Sequence, residues 1–283
     1  MTQISILGCG WLGLPLAKAL LENEFSVKGS TTSIEKLSIL ENLEIQAFKI
    51  ELSETKIQGE VDSFLENSKI LVIDIPPKLR GSGTNPSTAL RMTFVSKIKN
   101  VIPFIEKSSI ENVLFISSTS VYGDDNSIVT EMTNLNPETE SGKQLVQAEQ
   151  LLQSNSNFKT TILRFGGLIG EDRHPIKFLA GRKNIENPNA PVNLIHQEDC
   201  IGIILKIIEK GLRQAQTDKL VWNETFNAVT PFHPSRKEYY TQKAKDLNLA
   251  LPEFNYELPT FGKTISSSKI EKVLGYSFTK PKL

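Results

Sequence analysis

The stretch that decides the fold begins three residues after Met1 and reads Ile4-Ser5-Ile6-Leu7-Gly8-Cys9-Gly10-Trp11-Leu12-Gly13. Its apolar first half predicts a buried strand, and the residues after Gly13 have the spacing of an amphipathic helix. A second strand is predicted at residues 25–30, at the distance that a dinucleotide-binding βαβ unit requires. The pattern G-x-G-x-x-G therefore lies between a predicted strand and a predicted helix, as a dinucleotide-binding turn requires.

Each glycine of this turn has a separate predicted task. Gly8 allows the tight turn, Gly10 lets the backbone approach a pyrophosphate, and Gly13 lets the helix pack closely on the strand. The phosphates would lie at the helix N-terminus, beside Trp11 and Leu12, where free N–H groups and the helix dipole favour an anion. The alternative is a glycine-rich turn that binds no ligand.

The composition is typical of a soluble globular protein. The chain has 283 residues, 39% of them hydrophobic and 23% charged, and its 32 basic and 32 acidic residues cancel. This balance argues against a nucleic acid or a membrane surface as the main partner. Residues 4–21 are apolar, but their glycines and Pro15 argue against a signal sequence. With two cysteines and no other long apolar run, we expect a cytoplasmic protein without a disulfide framework.

Buried strands alternate with helices along the first part of the chain. The clearest strands are predicted at residues 69–75, 112–116 and 160–165, and helices at 88–106 and 142–153. This alternation predicts a doubly wound parallel α/β sheet. We expect a dinucleotide-binding domain at residues 1–165 and a smaller substrate-side lobe at 166–283, with residues 192–230 returning to pack on the first domain.

Four stretches together resemble the extended branch of the short-chain dehydrogenase/reductase family, which contains the nucleoside-diphosphate-sugar epimerases and dehydratases. They are the glycine turn, Phe115-Ile116-Ser117-Ser118-Thr119-Ser120-Val121-Tyr122-Gly123-Asp124, Leu163-Arg164-Phe165-Gly166-Gly167-Leu168-Ile169-Gly170 and Val192-Asn193-Leu194-Ile195-His196-Gln197-Glu198-Asp199. The resemblance implies a Rossmann-like fold, NAD or NADP as cofactor, contacts from Ile75 and Pro76 to that cofactor, and a small-molecule substrate.

The same resemblance suggests catalytic residues and also reveals a departure. It implies that Ser118, with Thr119 beside it, binds the reacting substrate oxygen, although a hydroxyl closing a strand end is the alternative. The family's Tyr and Lys, spaced Y-x-x-x-K, fall on Ser141 and Leu145. Serine is too weak an acid to replace the tyrosine. The chain thus resembles the atypical short-chain dehydrogenases. Tyr122, the nearest phenol, is a further catalytic candidate, and a water molecule held by Ser118 and Ser141 is the alternative source of the proton.

The expected ligand contacts outside the motifs are less specific. A basic segment, Arg173, His174, Lys177, Arg182 and Lys183, could cradle an anionic substrate or could be a solvated loop. From it we take Arg173, His174 and Arg182 as substrate-binding candidates. The histidines and cysteines show no metal-ligand spacing. The family often dimerises through the helices predicted at 88–106 and 142–153, so a homodimer is expected.

The second strand ends in Ser30, Thr31 and Thr32, with no carboxylate to repel a 2′-phosphate. We therefore expect NADP(H) to bind at least as well as NAD(H). Thr32 and Glu35 also have the spacing of a capping box that opens a helix through Leu40. Two functions remain open: an oxidoreductase or epimerase-like enzyme acting on a hydroxyl or carbonyl, and a dinucleotide-binding sensor without turnover.

Overall fold

The computed structural model describes residues 1–77, 93–125, 127–213 and 221–282. The loop predicted at residues 78–86 and the start of the helix predicted at 88–106 lie outside these ranges. The sheet is seven-stranded and every pairing in it is parallel. In spatial order its strands are β12 (Thr225–Ala228), β9 (Lys159–Phe165), β7 (Asn112–Ser118), β6 (Ile70–Ile73), β1 (Gln3–Leu7), β2 (Ser26–Thr31) and β3 (Gln46–Lys49).

Helices cover both faces of this sheet. One face packs mainly against α1 (Gly13–Glu22) and α7 (Gln197–Leu212), which bury Leu16, Leu20 and the isoleucines of α7. The other face packs against α3 (Val61–Leu65), α4 (Thr93–Lys107) and α5 (Glu140–Gln153). The central strands β1, β6 and β7 are mostly apolar because both of their faces are covered, and the prediction of a doubly wound α/β fold is confirmed.

Shorter elements connect these layers. They are α2 (Leu37–Glu41), the antiparallel hairpin β4 (Glu51–Leu52) and β5 (Ile57–Gln58), β8 (Ile128–Val129), β10 (Gly167–Ile169), α6 (Ile176–Leu179), β11 (Leu194–His196), α8 (Arg236–Asp246), β13 (Thr264–Ile265) and a π-helical turn at Ile270–Leu274. Tyr239 and Tyr240 of α8 and Ile176 of α6 form a separate small core after Gly166. The domain boundary at residues 165 and 166 stays a prediction, and β12 shows that a later segment completes the sheet.

One local prediction is wrong. Thr32 does not cap a helix: a short 3₁₀ helix at Ile34–Lys36 precedes α2, and its N-cap, Ser33, makes no capping bond. The Ser33 N–H instead donates to Thr31 Oγ1 at 3.1 Å. The lysine-rich C-terminal segment is not a free tail, because the buried Asp199 carboxylate accepts from the Lys280 N–H at 3.1 Å and from Thr279.

Within the described ranges, no helix is both long enough and apolar enough to cross a membrane.

Candidate functional site

The glycine turn lies at the carboxyl end of β1 and has the geometry that its sequence predicts. Gly8 has φ +111°, and a Cβ there would stand 2.4 Å from the Asp74 carbonyl oxygen. A Cβ on Gly13 would stand 2.2 Å from the Gly8 carbonyl oxygen, whereas one on Gly10 would meet nothing within 4 Å. Gly8 and Gly13 therefore close the turn, and Gly10 leaves backbone open to a ligand.

Ser30 at the end of β2 fixes this turn. Its hydroxyl accepts the Gly8 N–H at 3.0 Å, and its carbonyl accepts the Cys9 N–H at 2.7 Å. The chain runs from β1 to β2 on one side and later to β6 on the other, so a topological switch point opens here. Open α/β sheets bind ligands at such points, beyond the carboxyl ends of the strands.

A cleft of about 250 Å³ opens at the switch point. Of the predicted cofactor residues, its lining includes Gly8, Gly10, Ser30, Thr31, Thr32, Ile75 and Pro76. The first turn of α1 has no acidic residue and no side-chain cap, so a diphosphate meets no competing carboxylate from that turn. The open backbone at Gly10 and a first turn of α1 without acidic residues fit a dinucleotide.

The remaining predicted residues of the turn point elsewhere. Leu12 is 2% exposed and belongs to the core beneath α1. The Trp11 ring is partly exposed and lies against the segment that follows β10, where its Nε1–H donates to Asp172 Oδ1 at 2.8 Å. Only their backbones remain candidates for contact with a phosphate.

The cleft also contains residues that sequence reasoning missed. Lys36 and Lys97 bring positive charge to it, and Ile50, Leu52 and Phe94 give it apolar walls. Asp74 follows β6 directly; burial raises the pKa of its carboxyl to about 7, and a hydrogen bond from the Gly13 N–H opposes that rise. Asp74 could have been found from the sequence, because it is a carboxylate at the end of an apolar strand. Lys97 could not, because only tertiary packing brings α4 to the cleft beside the end of β2.

A second group of polar side chains lies at the carboxyl end of β7. The half-buried Ser118 begins a 3₁₀ turn at Thr119–Val121, and its Oγ accepts the Ser120 N–H at 3.1 Å. Gly142 packs against this turn, because a Cβ there would stand 2.4 Å from the Ser120 carbonyl oxygen. The N-terminus of α5, with Ser141, is thereby adjacent to the turn that carries Ser118; Thr119 is 7% exposed.

Ser141 lies in the first turn of α5 with its Oγ 3.2 Å from Thr139 Oγ1. Thr139 caps the helix by accepting the Gly142 N–H at 3.1 Å. Leu145, at the position expected for the catalytic lysine, is 3% exposed within the apolar core. The exposed Lys143 lies on another face of the helix, as its spacing predicts.

Tyr122 does not join this group. Its side chain is 2% exposed, and its hydroxyl donates to Asn227 Oδ1 at 2.9 Å and accepts from Arg164 Nη1 at 2.6 Å. Burial raises the pKa of the phenol, although Arg164 partly opposes this. A buried phenol with both partners inside the core cannot reach a ligand in the cleft, so we no longer assign it a catalytic role.

The Tyr122 hydroxyl belongs to a buried polar network under the sheet edge. Arg164 forms two hydrogen bonds with the Glu149 carboxylate, at 3.1 and 2.6 Å, and Ser117 Oγ donates to the same carboxylate at 2.5 Å. Arg164 and Glu149 have side-chain exposures of 6% and 1%. This network joins β7, α5, β9 and β12 immediately before Ser118, and so supports its position.

The basic segment does not form one anion site. Arg173 lies over the Trp11 ring, with Cζ 5.0 Å from the ring centroid, and Lys183 pairs with Glu253 at 3.3 Å. His174 accepts the Ile176 N–H and lies 2.8 Å from the Tyr239 hydroxyl. Burial, reinforced by nearby lysines, lowers the pKa of His174 to about 4. Arg182 is exposed. The three substrate candidates are therefore not brought together: Arg173 contacts Trp11, His174 contacts Tyr239 and the Arg182 side chain is exposed.

The remaining points concern metal-binding residues and the surface expected to form a dimer. No cluster of His, Cys, Asp or Glu that could hold a metal occurs in the portion of the chain that the structure describes. On α5, Leu145, Ala148 and Leu152 are buried within the protomer, which leaves less apolar surface for a partner than the sequence suggests. The homodimer stays a prediction.

Comparisons with known proteins agree with this geometry. Residues 8–199 match the model of a family described as NAD(P)H-binding. Protein YeeZ of Escherichia coli strain K12 is 31% identical over 286 residues, which covers 99% of this chain and 97% of YeeZ.

Solved structures share the fold over nearly the whole chain. A UDP-glucuronic acid 4-epimerase from Bacillus cereus, solved in complex with NAD, has a TM-score of 0.79 at 18% identity and covers 98% of this chain and 92% of its own. A conserved protein of unknown function from Silicibacter pomeroyi has a TM-score of 0.74 at 20% identity, covering 100% and 95%. With its glycine turn, switch-point cleft and Rossmann-like sheet, this chain belongs to the NAD(P)H-binding family.

Proposed function

We propose that the protein is an NAD(P)-dependent oxidoreductase or epimerase-like enzyme that acts on a hydroxyl or carbonyl of a small, nucleotide-sugar-like substrate. One observation carries the proposal: the Ser118 turn and the start of α5 meet at the same sheet edge as the glycine turn. A substrate oxygen at that edge would meet hydroxyl groups beside the reactive end of a dinucleotide. The Bacillus cereus relative, solved with NAD, supports the substrate class.

The bound cofactor would supply hydride exchange with the substrate carbon. Ser118 would donate a hydrogen bond to the substrate oxygen and polarise it, since among the described residues its Oγ acts as acceptor for the Ser120 N–H. Ser141 is positioned to hold a water molecule that relays the proton. Because general acid–base catalysis contributes about 10²- to 10⁴-fold, replacing the Tyr–Lys pair by this arrangement predicts slow turnover.

For the cofactor, we propose that NADP(H) binds at least as tightly as NAD(H). Ser30, Thr31 and Thr32 contribute no carboxylate to the cleft, and Lys36 lies beside them. A lysine there would attract the extra phosphate. Calorimetric titration should show that Lys36→Ala weakens NADPH binding and leaves NADH binding unchanged. Tenfold tighter binding of NADH than NADPH by the unaltered protein, about 1.4 kcal/mol, contradicts this preference.

A second function has its own supporting observation. Leu145 is buried in the core and Tyr122 is enclosed by Arg164 and Asn227, so neither expected proton-transfer position offers a titratable group to the cleft. This favours a protein that binds the dinucleotide and responds to its redox state without turnover. In that case the bound nicotinamide would change the conformation or partner binding of the chain.

A kinetic experiment separates the two functions. The unaltered protein is mixed with NAD or NADP and a panel of nucleotide sugars, and separately with NADH or NADPH and the keto forms of these sugars. Nicotinamide fluorescence reports net hydride transfer, and chromatography of the sugars reports epimerisation, which leaves the cofactor's redox state unchanged. We expect slow turnover that Ser118→Ala reduces about tenfold or more at constant cofactor affinity. Ser154→Ala, which removes a hydroxyl at the opposite end of α5, is the matched control.

Three outcomes decide between the functions. Cofactor binding without turnover on any substrate favours the sensor. Turnover that Ser118→Ala leaves unchanged contradicts the proposed role of Ser118. Turnover at rates ordinary for this family would show that the Tyr–Lys pair is not needed here.

A further inference from the structure

Trp11 connects the glycine turn to the part of the chain after Gly166. Its Nε1–H donates to Asp172 Oδ1 at 2.8 Å, and its carbonyl oxygen accepts from Gln197 Nε2 at 2.7 Å. Gly170 lies directly against the ring, since a Cβ there would stand 2.8 Å from Trp11 Cζ2. Three residues from the second half of the chain thus hold one residue of the cofactor turn.

Arg173 is the charged member of this contact. Its Cζ lies 5.0 Å from the centroid of the Trp11 ring, within the range of a cation–π interaction. A reciprocal pair of backbone hydrogen bonds between Gly170 and Arg173, at 2.8 and 3.2 Å, fixes the turn that carries it. Among the described residues no carboxylate forms a salt bridge with Arg173, and its side chain is exposed.

The ring that carries this charge belongs to the glycine turn. Trp11 directly follows Gly10, whose backbone is open, and directly precedes Leu12, the N-cap of α1. The Asp172 carboxylate is engaged by Trp11, and Lys177 Nζ donates to the Asp172 carbonyl oxygen at 2.8 Å. The guanidinium therefore rests on the ring of the residue that lies between the open backbone of Gly10 and the N-cap of α1, the end of the helix that attracts an anion.

We infer that Arg173 is a cofactor-binding residue: seated on Trp11, it contributes a positive charge to the diphosphate and closes the dinucleotide site from the second lobe. The inference rests on dinucleotide binding in the proposed function, and it needs no turnover. It moves Arg173 from the expected substrate cradle to the cofactor. It also makes Trp11 a positioning residue, because the ring orients the guanidinium.

The test compares two probes that differ by the diphosphate. Dissociation constants of ADP-ribose and of adenosine are measured by calorimetry for the full-length protein, Arg173→Met and Arg173→Lys. Methionine keeps an apolar contact with Trp11 and removes the charge, whereas lysine keeps a charge. Lys183→Met, which removes an exposed charge of the same segment, is the matched control.

We expect Arg173→Met to weaken ADP-ribose binding about tenfold and to leave adenosine binding within twofold. Arg173→Lys should recover most of the loss, and the salt dependence of ADP-ribose binding should become shallower in Arg173→Met only. Melting temperatures should stay unchanged, because the side chain is exposed.

Two results would overturn the inference. One is unchanged ADP-ribose binding in Arg173→Met, or no ADP-ribose binding by the unaltered protein. The other is an equal loss for ADP-ribose and adenosine, which a purely structural contact with Trp11 would produce. A protein that binds ADP-ribose through Arg173 but turns over no substrate would defeat the proposed enzyme activity and leave this inference intact.

Discussion

The glycine turn and the Ser118 edge, which is the carboxyl end of β7 with the adjacent start of α5, lie at the same end of one sheet. They differ in whether the residues expected to act on a ligand are open to it. At the turn, Gly10 presents open backbone to a cleft. At the Ser118 edge, Leu145 and Tyr122 are 3% and 2% exposed and belong to the core. The glycine turn and the positions that the resemblance assigns to proton transfer thus lie on different strands, and residues at one can change while those at the other are kept.

The physical basis of this difference is that one kind of binding uses backbone groups and the other uses side chains. A dinucleotide is bound largely by backbone N–H groups, which survive most substitutions as long as the glycines remain. Proton transfer depends on particular side chains within hydrogen-bond reach of the substrate. Replacing such side chains by apolar ones adds to the core, so the fold is maintained when the chemistry is altered.

The largest effect is expected at the buried network under the Ser118 edge. Arg164→Met removes the positive charge that pairs with the Glu149 carboxylate, which is 1% exposed. This change should lower the free energy of unfolding by about 3–5 kcal/mol. Cofactor affinity should change less than twofold in the folded protein. Urea unfolding and NADPH fluorescence titration measure the two quantities.

Lys69→Met is the control for this variant, because it breaks the exposed ion pair with Glu111 and should cost about 0–1 kcal/mol. A loss of cofactor affinity that parallels the loss of stability in Arg164→Met would show that the two edges are not independent.

The next largest effect concerns the position expected for the catalytic lysine. Leu145→Lys places an amine in the apolar core and should lower the free energy of unfolding by about 3 kcal/mol. Leu145→Met should cost less than about 1.5 kcal/mol. Restoring a tyrosine alone, Ser141→Tyr, is therefore the better first test of the lost pair. Thermal unfolding that is the same for Leu145→Lys and Leu145→Met would mean that this position reaches solvent.

A smaller effect is expected from alanine in the glycine turn. Gly10→Ala adds a methyl group that meets no protein atom, so stability should be unchanged while NADPH affinity falls about tenfold, or about 1.4 kcal/mol. Gly13→Ala, with its Cβ 2.2 Å from the Gly8 carbonyl oxygen, should reduce both. Equal NADPH affinity in Gly10→Ala and the unaltered protein would show that the pyrophosphate does not bind at this turn.

The smallest effect is a pH dependence at Asp74. Burial raises the pKa of this carboxyl to about 7, so it gains its charge as the pH rises through 7 and then repels a diphosphate. NADPH affinity should fall severalfold, and at most about tenfold, between about pH 6 and pH 8. In Asp74→Asn this change should disappear, with adenosine binding as a control that is flat in both proteins.

The thiols that face Asp74 do not contribute to this titration. Burial raises the pKa of Cys9 to about 12, and burial also raises that of Cys200 well above its ordinary range. Both thiols stay neutral across the measured interval. If NADPH affinity changes equally with pH in Asp74→Asn and in the unaltered protein, the pH dependence comes from ionisation of the ligand and not from Asp74.

The fold could be predicted because its information is local. An apolar run, three glycines and an amphipathic helix define β1, the turn and α1 within about 20 residues, and β6 and most of β7 are apolar runs of the same kind. The positions of Ser30, Ser118 and Ser141 follow, since each stands at the end of a strand or at the start of a helix. The failed capping box at Thr32 shows the limit of such patterns, because the helical segment begins one residue later, with Ser33 as the N-cap of a 3₁₀ helix at Ile34–Lys36.

The site could be predicted only in part because several of its contacts join distant segments. Tyr122 belongs to the core through Asn227, 105 residues away, and Trp11 meets Asp172 across 161 residues. Lys97 and Phe94 reach the cleft only because α4 packs beside the strands that open it. By itself, then, the sequence determined the strand–turn–helix unit and the parallel sheet, since each follows from residues adjacent in the chain. Only the tertiary structure decided which charged and aromatic side chains face the cleft and which are buried, because burial depends on what the rest of the chain brings against them.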